Sequence, residues 1–365
     1  MRPSSTAVAV DRVRVSTFVV PTDGPESDGT LEWDKTTVVL VETSGGGLTG
    51  IGWTYADRAA ATLVHERLIG AVEGQDATGI AAIEARMATS VRNDGRPGVA
   101  STAMAAVDAS LWDLKAKLFG VPLVTLLGAR RASVPIYGSG GFTSYSDERL
   151  REQLGSWVSD GIRMVKMKVG RDPERDLNRV EVAREAIGEA SLFVDANGAY
   201  ARNQALEFAH AFRTLGVVWF EEPVSSDDLD GLRLLRDRAP GGMDVAAGEY
   251  GYDPHYFRRM LQAQAVDVLQ ADASRCGVSG FLGVDALCEA FDVPLSAHCV
   301  PALHAHLGCA ARRLVHVEYF HDHARIEHLL FDGAPTPRSG ALSPDRSRPG
   351  LGVDLKRADA ARFAA

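Results

Sequence analysis

The stretch SLFVDANGAYARNQALEFAHAFRTLGVVWFEEP, residues 191–223, decides the fold. An apolar run ends at Asp195, a helix-length segment follows, and a second apolar run ends at Glu221. A third run, DVAAGEY at 244–250, carries Glu249 in the same place. The intervals between the three acids are 26 and 28 residues, about one strand-loop-helix-loop unit each. Such a repeat gathers acids distant in sequence at one end of a barrel. Three convergent hard oxygen ligands are what Mg²⁺ requires.

The same texture continues on both sides. Further strand candidates are VPIYGSGG (134–141), MVKMKVG (164–170), DVLQADA (267–273), PLSAHC (294–299) and LVHVEYF (314–320). Asp172-Pro173 and Asp253-Pro254 each read as a helix N-cap followed by a first-turn proline. After the sixth strand, Phe281, Val284, Leu287, Cys288 and Phe291 fall on one helix face. Eight strands alternating with helices fit a doubly wound sheet or a closed barrel. Nearly every strand ends in a polar residue that needs a partner, which suits the C-terminal face of a barrel, where function gathers.

A barrel takes about 250 residues, and the chain has 365, so a second domain precedes or follows it. Residues 7–55 alternate as strands, and 57–128 carry apolar residues at helical spacing. Between the first strands lies PTDGPESDGTLEWDK (21–35), which reads as a mobile loop, either a hairpin connection or a flap over an active site. From Arg325 to Ala365 the chain has several prolines and little periodicity, and is expected to run back over the first domain. The net charge of −9, with scattered Lys and Arg, argues against nucleic acid as a partner. Cys276, Cys288, Cys299 and Cys309 form no CxxC pair and read as reduced core thiols. The N-terminus MRPSSTAVAVDRVRVST lacks a long apolar region, and no apolar run spans a membrane, so a cytoplasmic protein is expected.

Strand alternation assigns side chains to faces. Lys166 and Lys168 share the barrel interior, while Val165, Met167 and Val169 face the helices. A buried ammonium is costly unless paired, so these lysines belong beside anions, and one of them can serve as a base. Asp195 and Asn197 share a face, with Asn197 placed either to donate to a substrate oxygen or to orient a ligand. Val217, Trp219 and Glu221 share another, which leaves Glu222 as a supporting or structural group. Asp272 and His298 lie on neighbouring strands, and an Asp bonded to one imidazole nitrogen frees the other for proton transfer. Glu318 lies on strand eight, as a substrate-carboxylate partner or a structural ion pair. Zinc on Cys299, His304 and His306 is a weaker alternative to magnesium, and His321, His323 and His328 carry less weight.

In order, KMK (166–168), DAN (195–197), EEP (221–223), GE (248–249), QADASRCGVSG (270–280) and SAHC (296–299) resemble the enolase superfamily, mandelate racemase subgroup. ASTAMAAVDASLWDLKAKLFGVPLVTLLG (100–128) resembles the helix that leads from that family's capping domain into its barrel. The resemblance implies an α/β fold, a modified (β/α)₇β TIM-like barrel over 131–325. It implies an N-terminal α+β capping domain over 1–130 and a C-terminal segment, 326–365, packed on that domain. It further implies Mg²⁺ on Asp195, Glu221 and Glu249, and abstraction of the proton alpha to a carboxylate. By resemblance Lys168 is the base on one face, and His298 with Asp272 works from the other. Lys166 sits beside the substrate carboxylate, and Glu318 bonds to it. Relatives that lactonize muconate or epimerize dipeptides carry a lysine on the sixth strand, whereas DASRCG offers Asp272 and no lysine. Homo-oligomers, dimers or octamers, are expected.

Two outcomes share these residues: racemization or epimerization of a 2-hydroxy acid, and dehydration with His298 protonating a leaving β-hydroxyl. The 21–35 segment is polar, with Trp33 the large apolar residue of its later half and a substrate-contact candidate. A polar lid favours a polyhydroxy acid, so acid-sugar dehydration is the expectation, with an inactive ligand-binding member as a further alternative.

Overall fold

A computed structural model describes residues 7–365; the first six residues of the N-terminal segment read above lie outside it. Strands β1 (Arg12–Ser27), β2 (Glu32–Gly45) and β3 (Leu48–Tyr55) form an antiparallel sheet. β2 is apolar on both faces: Val39 and Val41 pack into the helices of this unit, and Val38 and Leu40 into the main core.

The 21–35 segment is not a free loop. It forms the far ends of β1 and β2, which pair out to Ser27 and Glu32 beyond an irregularity between Pro21 and Glu26. Asp28 Oδ1 accepts hydrogen bonds from the Thr30 and Leu31 amides, each 2.7 Å long, and so closes the turn. Trp33 Nε1 donates to Glu26 Oε2 at 2.8 Å across the hairpin. The polar composition that reads as a loop belongs to a hairpin arm whose polar groups bond across the turn and to the barrel, as Ser27 does to Thr143 and Asp23 to His321.

The helix Val99–Leu118 lies directly on β3. Its approach requires glycine: a Cβ on Gly50 would stand 2.2 Å from the Ser110 carbonyl oxygen, and one on Gly52 would stand 2.3 Å from that of Ala106.

The second unit is a closed barrel of eight parallel strands: β4 (Val134–Gly140), β5 (Met164–Lys168), β6 (Ser191–Asp195), β7 (Val217–Glu221), β8 (Asp244–Ala247), β9 (Val268–Ala271), β10 (Leu295–Ala297) and β11 (Leu314–Phe320). Each neighbour pairs in order, and β11 closes on β4. A helix follows each of the first seven strands. Tyr137, Phe193, Trp219, Ala246 and Val268 plug the interior, with Phe193 stacked on Trp219 at 5.1 Å. A register shift between Leu192 and Phe193 interrupts the alternation of β7. Val217 therefore packs in the outer core instead of sharing a face with Trp219.

Other local expectations need correction. Asp172 occupies an N-cap position but its side chain makes no capping bond, whereas Asp253 accepts from the Tyr256 amide. Phe291, at the end of its helix, is 40% exposed and lies outside the apolar face that Phe281, Val284 and Cys288 bury. Periodicity does not stop at Arg325, because a helix spans His321–Leu330. Beyond it Phe331 packs on Trp53 with ring centroids 4.6 Å apart, and the Leu351 amide donates to Asp113 at 2.6 Å. Ala341 and Leu342 pair with β4.

Gly52→Ala should cost roughly 1–3 kcal/mol through overpacking, read as a lower denaturation midpoint. Gly70→Ala, whose Cβ would meet nothing within 4 Å, serves as the control and should be neutral or stabilising. Equal midpoints for the two variants would contradict the close approach of helix and sheet.

Candidate active site

β5 supplies both cations. Lys166 and Lys168 point inward and are buried, while Val165 and Met167 face the helices. Lys166 Nζ bonds to Glu221 Oε1, and lies 2.8 Å from Glu318 Oε1 and 3.4 Å from Asp195 Oδ2. Lys168 Nζ bonds to Asp195 Oδ2. Trp219, from the plug below, donates to Glu221 Oε2 at 3.0 Å. Lys166 is fully enclosed and does not line the cavity, whereas Lys168 does.

Parallel pairing puts Lys168, Asp195 and Glu221 in one row across β5, β6 and β7. Glu249 lies just past β8, turned in by Gly248 at φ +133°, where a Cβ would stand 2.3 Å from the Gln270 carbonyl oxygen. One carboxylate oxygen each from Asp195, Glu221 and Glu249 comes within 4.8 Å of the other two. Glu222 departs from strand alternation, with φ at +37°, and it too is buried.

These acids strain one another electrostatically. Burial and the Asp195 charge push Glu221 up to about 8. Burial and Glu249 push Glu222 well up. Burial would raise Asp195 as well, but Lys168 and Lys166 hold it down to about 2. Burial works against the charge on both lysines, and the surrounding carboxylates outweigh it, so both are held protonated. Among the described residues, Glu249 Oε2, Glu222 Oε1 and Asn197 Oδ1 are buried without a hydrogen-bond partner. A convergent set of hard oxygens with surplus negative charge and unpartnered atoms fits Mg²⁺ on Asp195, Glu221 and Glu249.

On the other side, His298 Nδ1 bonds to Asp272 Oδ2 at 3.0 Å. Asp272 is fixed in turn, since its Oδ1 caps the next helix through the Ser274 amide and hydroxyl, each at 2.7 Å. His298 Nε2 is left free of Asp272, 3.3 Å from Glu249 Oε2. Burial opposes its charge, but Glu249, Glu318 and Asp272 prevail and raise it to about 9. Glu318 Oε2 accepts from the Cys299 amide at 2.9 Å.

A cavity of about 490 Å³ opens over these groups, lined from the barrel by Lys168, Asn197, His298 and Glu318. The hairpin arm walls it with Asp28, Leu31, Trp33 and Lys35. Leu31, 61% exposed, makes that arm less polar than Trp33 alone suggests. Arg275 reaches the cavity, 3.5 Å from Asp272 and 4.9 Å over the Tyr250 ring. His323, given little weight from sequence, is a wall residue stacked on Tyr55 at 3.4 Å. Cys299, a buried member of the core, also lines the cavity. All four cysteines are free. A zinc site on Cys299, His304 and His306 is excluded because both ring nitrogens of each histidine are already engaged. His304 bonds the Ala273 amide and the Cys299 carbonyl, and His306 bonds the Val124 amide and the Leu351 carbonyl.

Residues 13–128 match the family model of the mandelate racemase / muconate lactonizing enzyme N-terminal domain, and residues 149–360 match that of the enolase C-terminal domain-like family. The chain is 32% identical to 3,6-anhydro-alpha-L-galactonate cycloisomerase of Streptomyces coelicolor, over 95% of this chain and 98% of that one. A mandelate racemase/muconate lactonizing enzyme-like protein from Rubrobacter xylanophilus has a crystal structure that superposes with a TM-score of 0.96 at 55% identity, covering 98% of this chain and all of that one. L-talarate/galactarate dehydratase of Salmonella typhimurium, crystallised with Mg and L-lyxarohydroxamate, superposes with a TM-score of 0.92 at 28% identity, covering 100% of this chain and 95% of that one.

Mg²⁺ should raise the melting temperature, as binding to the native state alone requires; at a hundredfold excess over Kd the gain is about 2.7 kcal/mol. Asp195→Asn, Glu221→Gln and Glu249→Gln should each abolish most of that gain, and an undiminished shift in all three would exclude this site. In the metal-free protein His298 is raised from 6.5 to about 9. Its charge therefore stabilises the fold fully below its ordinary pKa, and that contribution is lost as pH rises through about 9. Denaturation across this range should show the loss, and His298→Asn should flatten it; the same slope in the variant would contradict the assignment.

Proposed function

The chain belongs to the mandelate racemase/muconate lactonizing enzyme family of the enolase superfamily, and from that premise we propose that it dehydrates an acid sugar, an aldonate or aldarate, to a 2-keto-3-deoxy acid. The observation that carries the reading is a single cavity lined by Lys168, His298, Asp272 and Glu249, the last of which clusters with the buried Asp195 and Glu221. When bound there, Mg²⁺ would offset charge growing on the substrate carboxylate and, by neutralising Asp195, release Lys168 from the partner that keeps it protonated.

Lys168 then removes the proton alpha to the carboxylate. His298, oriented by Asp272, donates from Nε2 to the departing β-oxygen. Asp272 holds the imidazole in the tautomer that leaves Nε2 facing the cavity. Asn197 Oδ1 is an acceptor for a substrate hydroxyl, being buried without a partner among the described residues. Lys166 holds Glu221 and Glu318 in place and favours the charged form of Glu318. Asp28, Lys35 and Thr36 offer hydrogen-bonding groups for a polyhydroxy chain, while Leu31 and Trp33 exclude water above it. An ether oxygen at the β position would leave by the same steps, a second reading favoured by the cycloisomerase relative aligned along nearly the whole chain. Racemization also uses two opposed proton-transfer groups; it is distinguished by its product. We further propose a homo-oligomer.

Purified protein with Mg²⁺, incubated with a library of aldonates and aldarates, should form a 2-keto product from at least one member. Lys168→Ala and His298→Asn should each lower its rate by roughly 10²–10⁴-fold. In D₂O, exchange of the alpha proton without keto product would favour racemization, and a library with neither product nor exchange would overturn the reading.

A further inference from the structure

His298, Cys299 and Glu318 form a second buried constellation, distinct in chemistry from the three carboxylates beside it. Cys299 Sγ lies 3.4 Å from His298 Nε2 and 3.3 Å from Glu318 Oε2, and His298 Nε2 lies 3.5 Å from that same oxygen. The three atoms therefore make a nearly equilateral triangle. Bonds of about 2.0–2.3 Å to a tetrahedral zinc ion place its ligand atoms about 3.3–3.7 Å apart. The geometry points to a site for Zn²⁺, or another borderline-soft divalent ion, that takes these three side chains and a fourth ligand from the cavity.

The surroundings suit that ion. His298 Nδ1 is held by Asp272 Oδ2, the carboxylate–histidine arrangement that orients a ring for metal binding through its other nitrogen. Glu318 is held at its far oxygen by Lys166, 2.8 Å away, which leaves Oε2 toward the thiol. The left-handed backbone at Cys299 and Val300, φ +55° and +43°, turns the chain sharply just where the thiol meets both partners. All three ligands are buried, and all three line the cavity, which gives an ion its entry and a water its place. The sequence suggests Cys299 as a core thiol or a partner of His304 and His306; the fold sets its thiol beside the adjacent histidine.

Ligand hardness separates the two neighbouring sites. Three carboxylates suit Mg²⁺, whereas one nitrogen, one thiolate and one carboxylate suit Zn²⁺. Binding releases the thiol proton, and the imidazolium proton where present, to solvent. Zinc would take up the Nε2 lone pair that proton transfer needs, so it would inhibit. The inhibition rests on the role proposed for His298, whereas the binding does not.

Co²⁺ titrated into Mg²⁺-saturated protein tests the site by spectroscopy. The expected result is a near-ultraviolet thiolate-to-cobalt band, with visible bands of tetrahedral intensity, both lost on adding one equivalent of Zn²⁺. Cys299→Ser should lack the thiolate band and bind Zn²⁺ at least tenfold more weakly, while its melting temperature still responds to Mg²⁺. In the wild type, Zn²⁺ should also protect Cys299 from alkylation, as mapped by mass spectrometry. A cobalt spectrum with no thiolate band, or alkylation of Cys299 unaffected by Zn²⁺, would overturn the proposal whatever the enzyme's substrate proves to be.

Discussion

The charge balance between buried carboxylates and two lysines on β5 governs the structure of this barrel end. Asp195, Glu221, Glu222, Glu249 and Glu318 are all buried, against Lys166 and Lys168. Each unpaired ion in such surroundings costs several kcal/mol. Lys166 is shared by three of the acids, and Lys168 is committed to Asp195. These lysines and the His298 imidazole, which Asp272 also engages, cannot neutralise all of these acids, so some protonate or a cation binds. The upward displacement of Glu221 and Glu222 expresses that imbalance. A divalent ion resolves it without protons, which ties the site's electrostatics to its chemistry.

The barrel makes this arrangement affordable. Parallel closure brings acids from different strands to one depth, while alternation sends the residues between them into the apolar core. The aromatic plug of Tyr137, Phe193 and Trp219 seals the interior beneath and lends one hydrogen bond, from Trp219 to Glu221. The N-terminal unit closes the opposite side. Its hairpin arm reaches the cavity because β1 and β2 stay paired well past the rest of their sheet.

The sequence makes the barrel and most of the site residues legible because they depend on local periodicity. Strand alternation puts Lys166 and Lys168 inward, and the even spacing of Asp195, Glu221 and Glu249 implies a common end. What escapes is set by backbone detail. The register shift beside Phe193 turns Val217 outward, and the positive φ of Glu222 breaks the two-residue rule that places its neighbours. The 21–35 segment looks like a loop because its Gly, Pro and Asp residues are turn formers, yet cross-strand bonds such as Trp33 to Glu26 keep it in the sheet. Tyr55 and His323 owe their place in the cavity to a stack between the two units, which no single stretch of chain encodes.

A crystal structure grown with Mg²⁺ at high resolution would locate the cation among these carboxylates. It should show the ion bound by one oxygen each from Asp195, Glu221 and Glu249 at about 2.0–2.1 Å. Lys166 and Lys168 should lie beside the ion's ligands without occupying its place. Carboxylates still engaged only by the lysines, with no ion among them at saturating Mg²⁺, would contradict the account.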